Sequence, residues 1–337
     1  MRTLAIVLAS AALTLTACTT SGSSANTATG SSTSAATSPP ISVDEAPTKP
    51  LAKRLLTVTN ERTGVPVVAF GSVWVKTGPG DVVRLDPSTG KVAQTYPTKT
   101  AAASGCEGIG ATDDAVWVCR RPGTYVRFTP QGKTSTTQFD GYADQLRMPV
   151  LDDQLWLIGA DQSTLHSLDA TTGKESGPPI TLPASSCDNV AAGLDAVWVA
   201  CHDLGLVRVE PSTREVNGTA SWPGAFFAAA DQHVVVGGDQ GVAEIDPDSL
   251  AVVARYDVKP DYYGDLATSG DYAWVGTSGN APLTRLDLTA KSIDEVLTTD
   301  DSFEFVCVTI AGTVLWVADT NDNASRYRLL SLRASTS

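Results

Sequence analysis

The chain has 337 residues and a formal net charge of −13, with 24 Lys and Arg against 37 Asp and Glu. This acidic balance argues against a nucleic-acid-binding role and against attachment to an anionic membrane surface, because both need clustered basic residues. The length alone favours two domains, but an internal repeat described below indicates one.

The chain begins with a segment typical of export. Arg2 precedes an apolar run over residues 4–15, which is too short to span a membrane, and Leu-Thr-Ala-Cys at 15–18 ends it. The segment resembles a bacterial lipoprotein signal. The resemblance implies cleavage after residue 17, acyl chains such as palmitate anchoring Cys18, and a lipid-anchored protein on the extracytoplasmic side of the cell membrane. An ordinary cleaved signal with a chance cysteine is the alternative.

Residues 18–50 are predicted to be a disordered tether. Ser and Thr make up nearly half of this segment, which is too polar to offset the entropy of ordering by burial. A coil of this length has a root-mean-square reach of about 30 Å. Its composition also permits O-linked glycans.

Residues 51–337 contain a short apolar motif that recurs about every forty residues. Seven apolar triplets have their centres 43, 39, 42, 37, 39 and 42 residues apart. The centres are Trp74, Trp117, Trp156, Trp198, Val235, Trp274 and Trp316. A period of this length with short strands indicates a β-propeller. The prediction is an all-β, seven-bladed β-propeller with four-stranded blades.

The last blade lacks an outer strand in the sequence, because the chain ends soon after the strand near 326–332. Residues 54–59 have a strand pattern of their own and precede blade 1. We expect this N-terminal strand to complete the last blade and close the ring, since closure removes two exposed edges. His166 is expected at the third-strand position that holds Arg84, Arg127 and Arg208 in other blades.

The cysteines indicate two disulfides. Cys106 and Cys187 each precede their blade's tryptophan by eleven residues, while Cys119 and Cys201 follow it by two and three. Folding each segment into a hairpin brings Cys106 opposite Cys119 and Cys187 opposite Cys201, within disulfide reach in an exported protein. Cys307 is left as a buried thiol.

The loops before the inner strands, and between second and third strands, converge on one mouth of a propeller's channel, the default ligand site. These loops present aromatic and charged side chains suited to a cation, a carbohydrate or a peptide. The predicted ligand-binding residues are Arg62, Glu107, Asp144, Arg147, Asp188, His202, Phe226, Phe227, Tyr262, Tyr263, Asp265 and Glu304. Solvated polar loops without a ligand are the alternative.

Catalytic signals are weak. His202 lies beside Asp203 in a mouth-side loop, but neighbouring residues of a strand point in opposite directions, which disfavours a general-base dyad. Motifs such as G-x-S-x-G and H-E-x-x-H do not occur in the sequence.

The repeat itself resembles a known family. Gly-Ser-Val-Trp-Val at 71–75, followed by Val-Arg-Leu-Asp-Pro at 83–87, is similar to repeats of YVTN-type and streptogramin-lyase-like β-propellers. The resemblance covers residues 55–333 and implies seven blades and a ligand mouth. That family includes binding proteins and a lyase that opens a cyclic depsipeptide with a divalent metal and a histidine; no catalytic residue is transferred to this chain.

The sequence therefore favours a monomeric cell-envelope lipoprotein whose propeller is a non-catalytic scaffold for a small molecule, a glycan or an envelope protein, with no cofactor. The alternative is a metal-assisted lyase or lactonase-like hydrolase that binds a divalent cation through mouth carboxylates such as Glu107, Asp188, Asp265 and Glu304. Three such groups converging on one point would favour the enzyme.

Overall fold

The computed structural model describes residues 39–51, 55–56, 64–77, 81–97, 108–142, 145–260, 264–321 and 326–333. In these ranges no helix combines the length and apolarity of a membrane span. Three short N-terminal strands come first: β1 (Ile41–Ser42), β2 (Thr48–Pro50) and β3 (Leu55–Leu56), with a 3-10 turn at Val43–Glu45 between the first two.

Seven antiparallel blades follow in chain order. Blade 1 contains β4 (Val67–Ala69), β5 (Ser72–Lys76), β6 (Val82–Leu85) and β7 (Val92–Tyr96). Blade 2 contains β8 (Ile109–Ala111), β9 (Val116–Arg121), β10 (Thr124–Phe128) and β11 (Thr134–Gln138). Blade 3 contains β12 (Val150–Leu151), β13 (Gln154–Ile158), β14 (Thr164–Asp169) and β15 (Ile180–Thr181). Blade 4 contains β16 (Cys187–Gly193), β17 (Ala196–Cys201), β18 (Gly205–Glu210) and β19 (Glu215–Ser221).

The remaining blades also use the N-terminal strands. Blade 5 contains β20 (Ala225–Ala230), β21 (Val234–Gly238), β22 (Gly241–Ile245) and β23 (Val252–Asp257), with β1 added outside. Blade 6 contains β24 (Asp265–Ser269), β25 (Tyr272–Gly276), β26 (Leu283–Asp287) and β27 (Ser292–Thr298), with β2 added outside. Blade 7 contains β28 (Phe305–Ala311), β29 (Val314–Asn321), β30 (Arg326–Arg333) and β3. The seven-bladed β-propeller prediction is confirmed.

Ring closure follows the prediction. Leu55 and Leu56 of β3 pair antiparallel with Leu330 and Leu329 of β30, so the N-terminal strand is the outer strand of blade 7. Trp316 of blade 7 lies in one apolar cluster with Trp74 of blade 1. The two ends of the repeat are therefore joined both by backbone pairing and by side-chain burial.

The segment before β3 differs from the prediction. The tether was expected to extend to residue 50, whereas β1 pairs in parallel with β23 and β2 in parallel with β27. We call residues 39–51 the N-terminal strap. Leu51 is 6% exposed, and Lys49 Nζ lies 2.8 Å from Glu295 Oε2. The propeller thus begins near residue 39, because backbone pairing and a few apolar contacts hold this polar segment on two outer edges.

The central tryptophans pack between and within blades. All six are at most 3% exposed. The indole N–H of Trp198 donates to Gly193 O at 3.0 Å within blade 4, and that of Trp117 donates to Ala170 O of blade 3 at 2.9 Å. A buried indole N–H needs such an acceptor, so these residues are structural, as expected.

A cationic side chain lies over several of these indoles. Arg208 stacks on Trp198 with its guanidinium carbon 5.8 Å from the ring centroid, as part of a series that includes Arg84 over Trp74 and Arg285 over Trp274. In blade 3 the cation over the tryptophan comes from the neighbouring blade. Trp156 is opposite Ser167, not His166, and Arg214 from blade 4 lies 5.8 Å over Trp156 while donating to Ser167 Oγ at 2.7 Å. The expectation for His166 is wrong because the register places it opposite Leu157.

The turns between third and outer strands are capped by acidic side chains. Asp86 Oδ1 accepts bonds from the Ser88 hydroxyl at 2.6 Å, Ser88 N at 2.8 Å and Thr89 N at 2.9 Å. These donors, the Ser88 hydroxyl foremost, lower the pKa of Asp86 to about 2. Asp169 and Asp246 form the same turn. These aspartates shape turns, as the sequence indicated.

Candidate functional site

The blade-joining loops and the loops between second and third strands lie on one face, which we call the mouth face. His202 N donates to Ser186 O at 2.9 Å, and Gly224 N donates to His202 O at 2.8 Å. In blade 6, Gly279 N donates to Phe303 O at 2.8 Å. The two loop classes therefore meet around the ring, as expected. The opposite face carries the hairpin turns between first and second strands, and we call it the turn face.

A disulfide supports the mouth face at blade 4. Cys187 at the start of β16 is bonded to Cys201 at the end of β17, which confirms that pair. Cys119 is disulfide-bonded as well, but its expected partner, Cys106, lies outside the described residues, so that pairing stays a prediction. Cys307 is a buried thiol outside any disulfide.

Next to this disulfide, an imidazole, an aromatic ring and a carboxylate from two blades lie together. The His202 ring lies 5.1 Å from the Phe226 ring between centroids, and His202 Nε2 lies 3.7 Å from Asp239 Oδ2. The side chains of His202 and Asp239 are 50% and 64% exposed. We call His202, Phe226 and Asp239 the blade 4–5 cluster. It presents a polar and aromatic surface to solvent.

Asp203 does not belong to this cluster. Its Oδ2 accepts a bond from Ser185 N at 3.2 Å, and its own N–H donates to Ser186 Oγ at 3.1 Å. The Ser186 hydroxyl is the main cause that holds the pKa of Asp203 below its usual value. The carboxylate near His202 is therefore Asp239. Asp239 could not be predicted from the repeat, because its contact with His202 joins two blades.

Arg147 and Asp265 form an ion pair between blades 3 and 6 that we call the channel strut. Arg147 Nη2 donates to Asp265 Oδ2 and to Val308 O, and Nη1 donates to Thr309 Oγ1 at 3.3 Å. Asp265 Oδ2 also accepts from Val308 N at 2.9 Å. The strut therefore joins blades 3, 6 and 7 at the channel.

The environment of Asp265 is closed to solvent. Its side chain is 1% exposed, whereas that of Arg147 is 19% exposed. Burial raises the pKa of the Asp265 carboxyl, while the Arg147 guanidinium and the amides of Val308 and Leu266 act in the opposite direction. Asp265 was predicted as a mouth ligand; the structure instead places it in the wall, where it holds blades together.

The other predicted mouth residues differ in accessibility. Phe227 is 5% exposed and packs in the core of blades 5 and 6, so it does not face the mouth. Asp188 and Glu304 are partly buried at the start of β16 and just before β28. Among the described residues, no group of three His, Cys, Asp or Glu side chains is arranged to hold a metal ion.

Several predicted residues lie outside the described ranges, and their roles stay predictions. They are Cys18, Arg62, Cys106, Glu107, Asp144, Tyr262 and Tyr263.

Comparison with known proteins gives the fold and no family. No protein-family model matches the chain, and no curated protein matches it. Solved structures do match. Virginiamycin B lyase from Staphylococcus aureus superposes with a TM-score of 0.64 at 14% identity, covering 82% of this chain and 96% of that chain.

Two further structures show the same architecture. BamB from Moraxella catarrhalis has a TM-score of 0.58 at 17% identity, covering 80% of this chain and 84% of that one. The WD40 domain of Neurospora crassa Pan2 has a TM-score of 0.64 at 12% identity, covering 82% and 92%. At these identities the likeness establishes a β-propeller and nothing about ligands.

Proposed function

We propose that this chain is a cell-envelope lipoprotein whose propeller is a non-catalytic scaffold, with an envelope protein as the partner of the mouth face. The observation that carries the proposal is a difference between two groups of residues: the channel strut is buried and bonded within the scaffold, whereas the blade 4–5 cluster is exposed to solvent. Arg147 and Asp265 bond to each other and to the backbone of blade 7. The side chains of His202 and Asp239 are 50% and 64% exposed, and the partly buried Phe226 ring lies beside His202.

The exposed cluster has the chemistry of a protein interface. Interfaces combine aromatic surface at their centre with polar groups that fix orientation. His202 and Asp239 supply a donor and an acceptor beside the Phe226 ring, and the Cys187–Cys201 disulfide ties the blade 4 hairpin that ends next to His202. A rigid platform costs little ordering entropy on binding, which favours a docking role.

The enzyme alternative has less support in this geometry. It required mouth carboxylates converging on a cation, and Asp265 is instead bonded to a guanidinium and to two backbone amides. Virginiamycin B lyase has this fold, but at 14% identity that likeness carries no activity to this chain. The binding role is therefore the function we put forward.

Site-specific photocrosslinking in intact cells tests the mouth face. A photoreactive residue at Asp239 should yield a discrete crosslinked product, because a partner docked on the cluster covers that position. The matched control is the same residue at Ser88, an exposed position in a turn of blade 1. Phe226→Ala should abolish the product at Asp239. Equal products from both positions, or none from Asp239, would contradict the proposal.

The anchor has its own test. Cys18→Ser should release the full chain from the membrane fraction and remove labelling by an alkyne analogue of palmitate, since the lipid is attached through that sulfur. Retention of the label in Cys18→Ser would show that the lipid is attached elsewhere, and an unlabelled parent protein that is absent from the membrane fraction would show that no anchor exists.

A further inference from the structure

The central channel contains a cavity on the side of the turn face. Its volume is about 270 Å³, and all seven blades contribute to its lining. In the longer inner strands the lining residues come from the middle or second half: 190–192 in β16, 228–230 in β20 and 308–310 in β28. Inner strands run from the mouth face to the turn face, so the cavity lies beyond the channel strut as seen from the mouth.

The walls of this cavity are mostly apolar, and small side chains predominate in blades 4 and 5. Blades 4 and 5 contribute Ala191 and Ala192 with Ala228–Ala230, and blade 6 contributes Ala267. Small side chains on facing inner strands leave the axis open. Arg147 also lines the cavity, and its guanidinium is paired with the buried carboxylate of Asp265. As a pair, the two side chains have no net charge.

The rim at the turn face is acidic. In blades 2 to 6 the inner strand is followed within one to three residues of the lining by aspartates, which at about 3.3 Å per residue lie within roughly 10 Å of the cavity. These exposed residues are Asp113, Asp114, Asp152, Asp153, Asp195, Asp231 and Asp271. Arg127 pairs with Asp114, and His233 Nε2 lies 3.9 Å from Asp271.

Turn geometry explains part of this composition. Asp152, Asp153 and Asp195 have φ values of 53°, 57° and 54°, a conformation that favours Asn, Asp and Gly in two-residue hairpins. Asn would serve these turns equally well and adds no charge. The turn conformation therefore explains why a short polar residue is present but not why it is charged. Substitution by Asn removes the charge and keeps the turn residue.

We propose that this cavity binds a small organic cation: its apolar stem lies between the alanine walls and its ammonium group at the aspartate rim. At about 30 Å³ per water molecule, the cavity holds the volume of about nine waters, which suits a stem of a few carbon atoms. The formal charge of −13 attracts cations over longer range. The site lies on the face opposite the partner surface proposed above and does not depend on it.

Calorimetric titration of the purified protein with n-hexylammonium tests this site. We expect saturable binding to one site that weakens with added salt, because the rim charges are exposed. From n-butylammonium to n-hexylammonium each methylene should tighten binding by up to about fourfold. Neutral n-hexanol and anionic n-hexanoate should each bind at least about tenfold more weakly, since they forfeit the attraction of several charges.

Two kinds of variant distinguish the contribution of the apolar stem to binding from that of the ammonium charge. Ala192→Phe fills the cavity and should abolish binding, with Ala267→Phe as a second filling variant should the first fail to fold. The fourfold variant of Asp152, Asp153, Asp195 and Asp231 to Asn keeps the turn residues and should weaken hexylammonium about tenfold at low salt.

Circular dichroism checks that each variant is folded. If hexanol binds as tightly as hexylammonium, the rim plays no part and the proposal fails. If folded filling variants bind hexylammonium as the parent protein does, the cation sits on the acidic surface only, and the proposal fails as well.

Discussion

Replacing Arg147 by Met should be the most damaging change of a charge in the channel. Met keeps much of the apolar stem and removes the guanidinium that bonds Asp265 Oδ2, Val308 O and Thr309 Oγ1. Asp265 is then left 1% exposed with two backbone amides as partners. Removing one partner of a buried pair typically costs about 3–5 kcal/mol. We expect the free energy of unfolding to fall by that amount.

A double-mutant cycle isolates the pair itself. Asp265→Asn removes the buried charge, so Arg147→Met combined with Asp265→Asn should cost less than the sum of the single changes, by about 2 kcal/mol or more. Lys49→Met is the matched control, because Lys49 is 55% exposed and its buried partner Glu295 keeps Arg285 as a second partner when Lys49 is removed. Loss of such a side chain should cost about 0–1 kcal/mol.

Urea unfolding provides the measurement. Tryptophan fluorescence and far-ultraviolet circular dichroism should give coincident transitions. Coincidence would indicate two-state unfolding, so that one free energy of unfolding describes the ring of seven blades. Arg147→Met costing no more than Lys49→Met would refute the buried strut. Strictly additive costs in the cycle would show that Arg147 and Asp265 do not interact.

Three other predictions concern stability and titration. Changing Cys187 and Cys201 to Ser should lower the free energy of unfolding by about 3 kcal/mol for a loop of this size, and reduction of the parent protein should lower the melting temperature further, because it also breaks the disulfide of Cys119. Deleting residues 39–50 should lower the melting temperature and raise light scattering, because it uncovers the outer edges of blades 5 and 6; unchanged melting would show that the strap contributes nothing. The Asp86 carboxyl should titrate at about 2 by NMR, and Ser88→Ala should move it toward 3.8. Since the folded pKa is depressed, the stabilisation from Asp86 is present above about pH 4 and is lost as the pH falls toward 2; an unshifted midpoint would disprove the cap.

The blades were predictable because each repeats one physical requirement. An apolar triplet at one position of the second strand is buried in every unit, with an indole at its centre in six of the seven, so the period survives where other residues vary. Closure by residues 55–56 was predictable for a related reason. Blade 7 lacked an outer strand in the sequence, and an unpaired edge must be covered.

The N-terminal strap was not predictable from composition. Parallel addition of β1 and β2 uses backbone groups of edge strands, and Ser, Thr and Pro side chains do not reveal which backbone groups are paired. The available signal was a sparse set of apolar residues, of which Ile41, Val43 and Leu51 contact the core. Such spacing is too irregular to distinguish a strap from a coil.

The candidate sites show that the repeat predicts the position of a residue within its blade but not its contacts with other blades. A period of forty residues tells which position a side chain occupies in its blade, and it correctly placed His202 and Phe226 on the mouth face. It does not tell which blades face each other, so the bond from Arg147 across to Asp265 could not be derived. Their pairing turns two predicted ligand residues into parts of the scaffold.

The alanines of the inner strands indicate the position of the channel cavity better than the charged residues do. Ala228 occupies the register position that holds Ile109, Val190 and Leu266 in other inner strands, and it lines the channel together with Ala191, Ala192, Ala229 and Ala230. A strand that gives up side-chain volume loses burial energy. Ala191 lies opposite Trp198 in the same apolar cluster, so packing against the indole explains part of its small size, and the alanines of blades 4 and 5 also border the cavity that all seven blades share. The cavity at the turn face is therefore a feature of the whole ring, and an occupant of that cavity contacts several blades together.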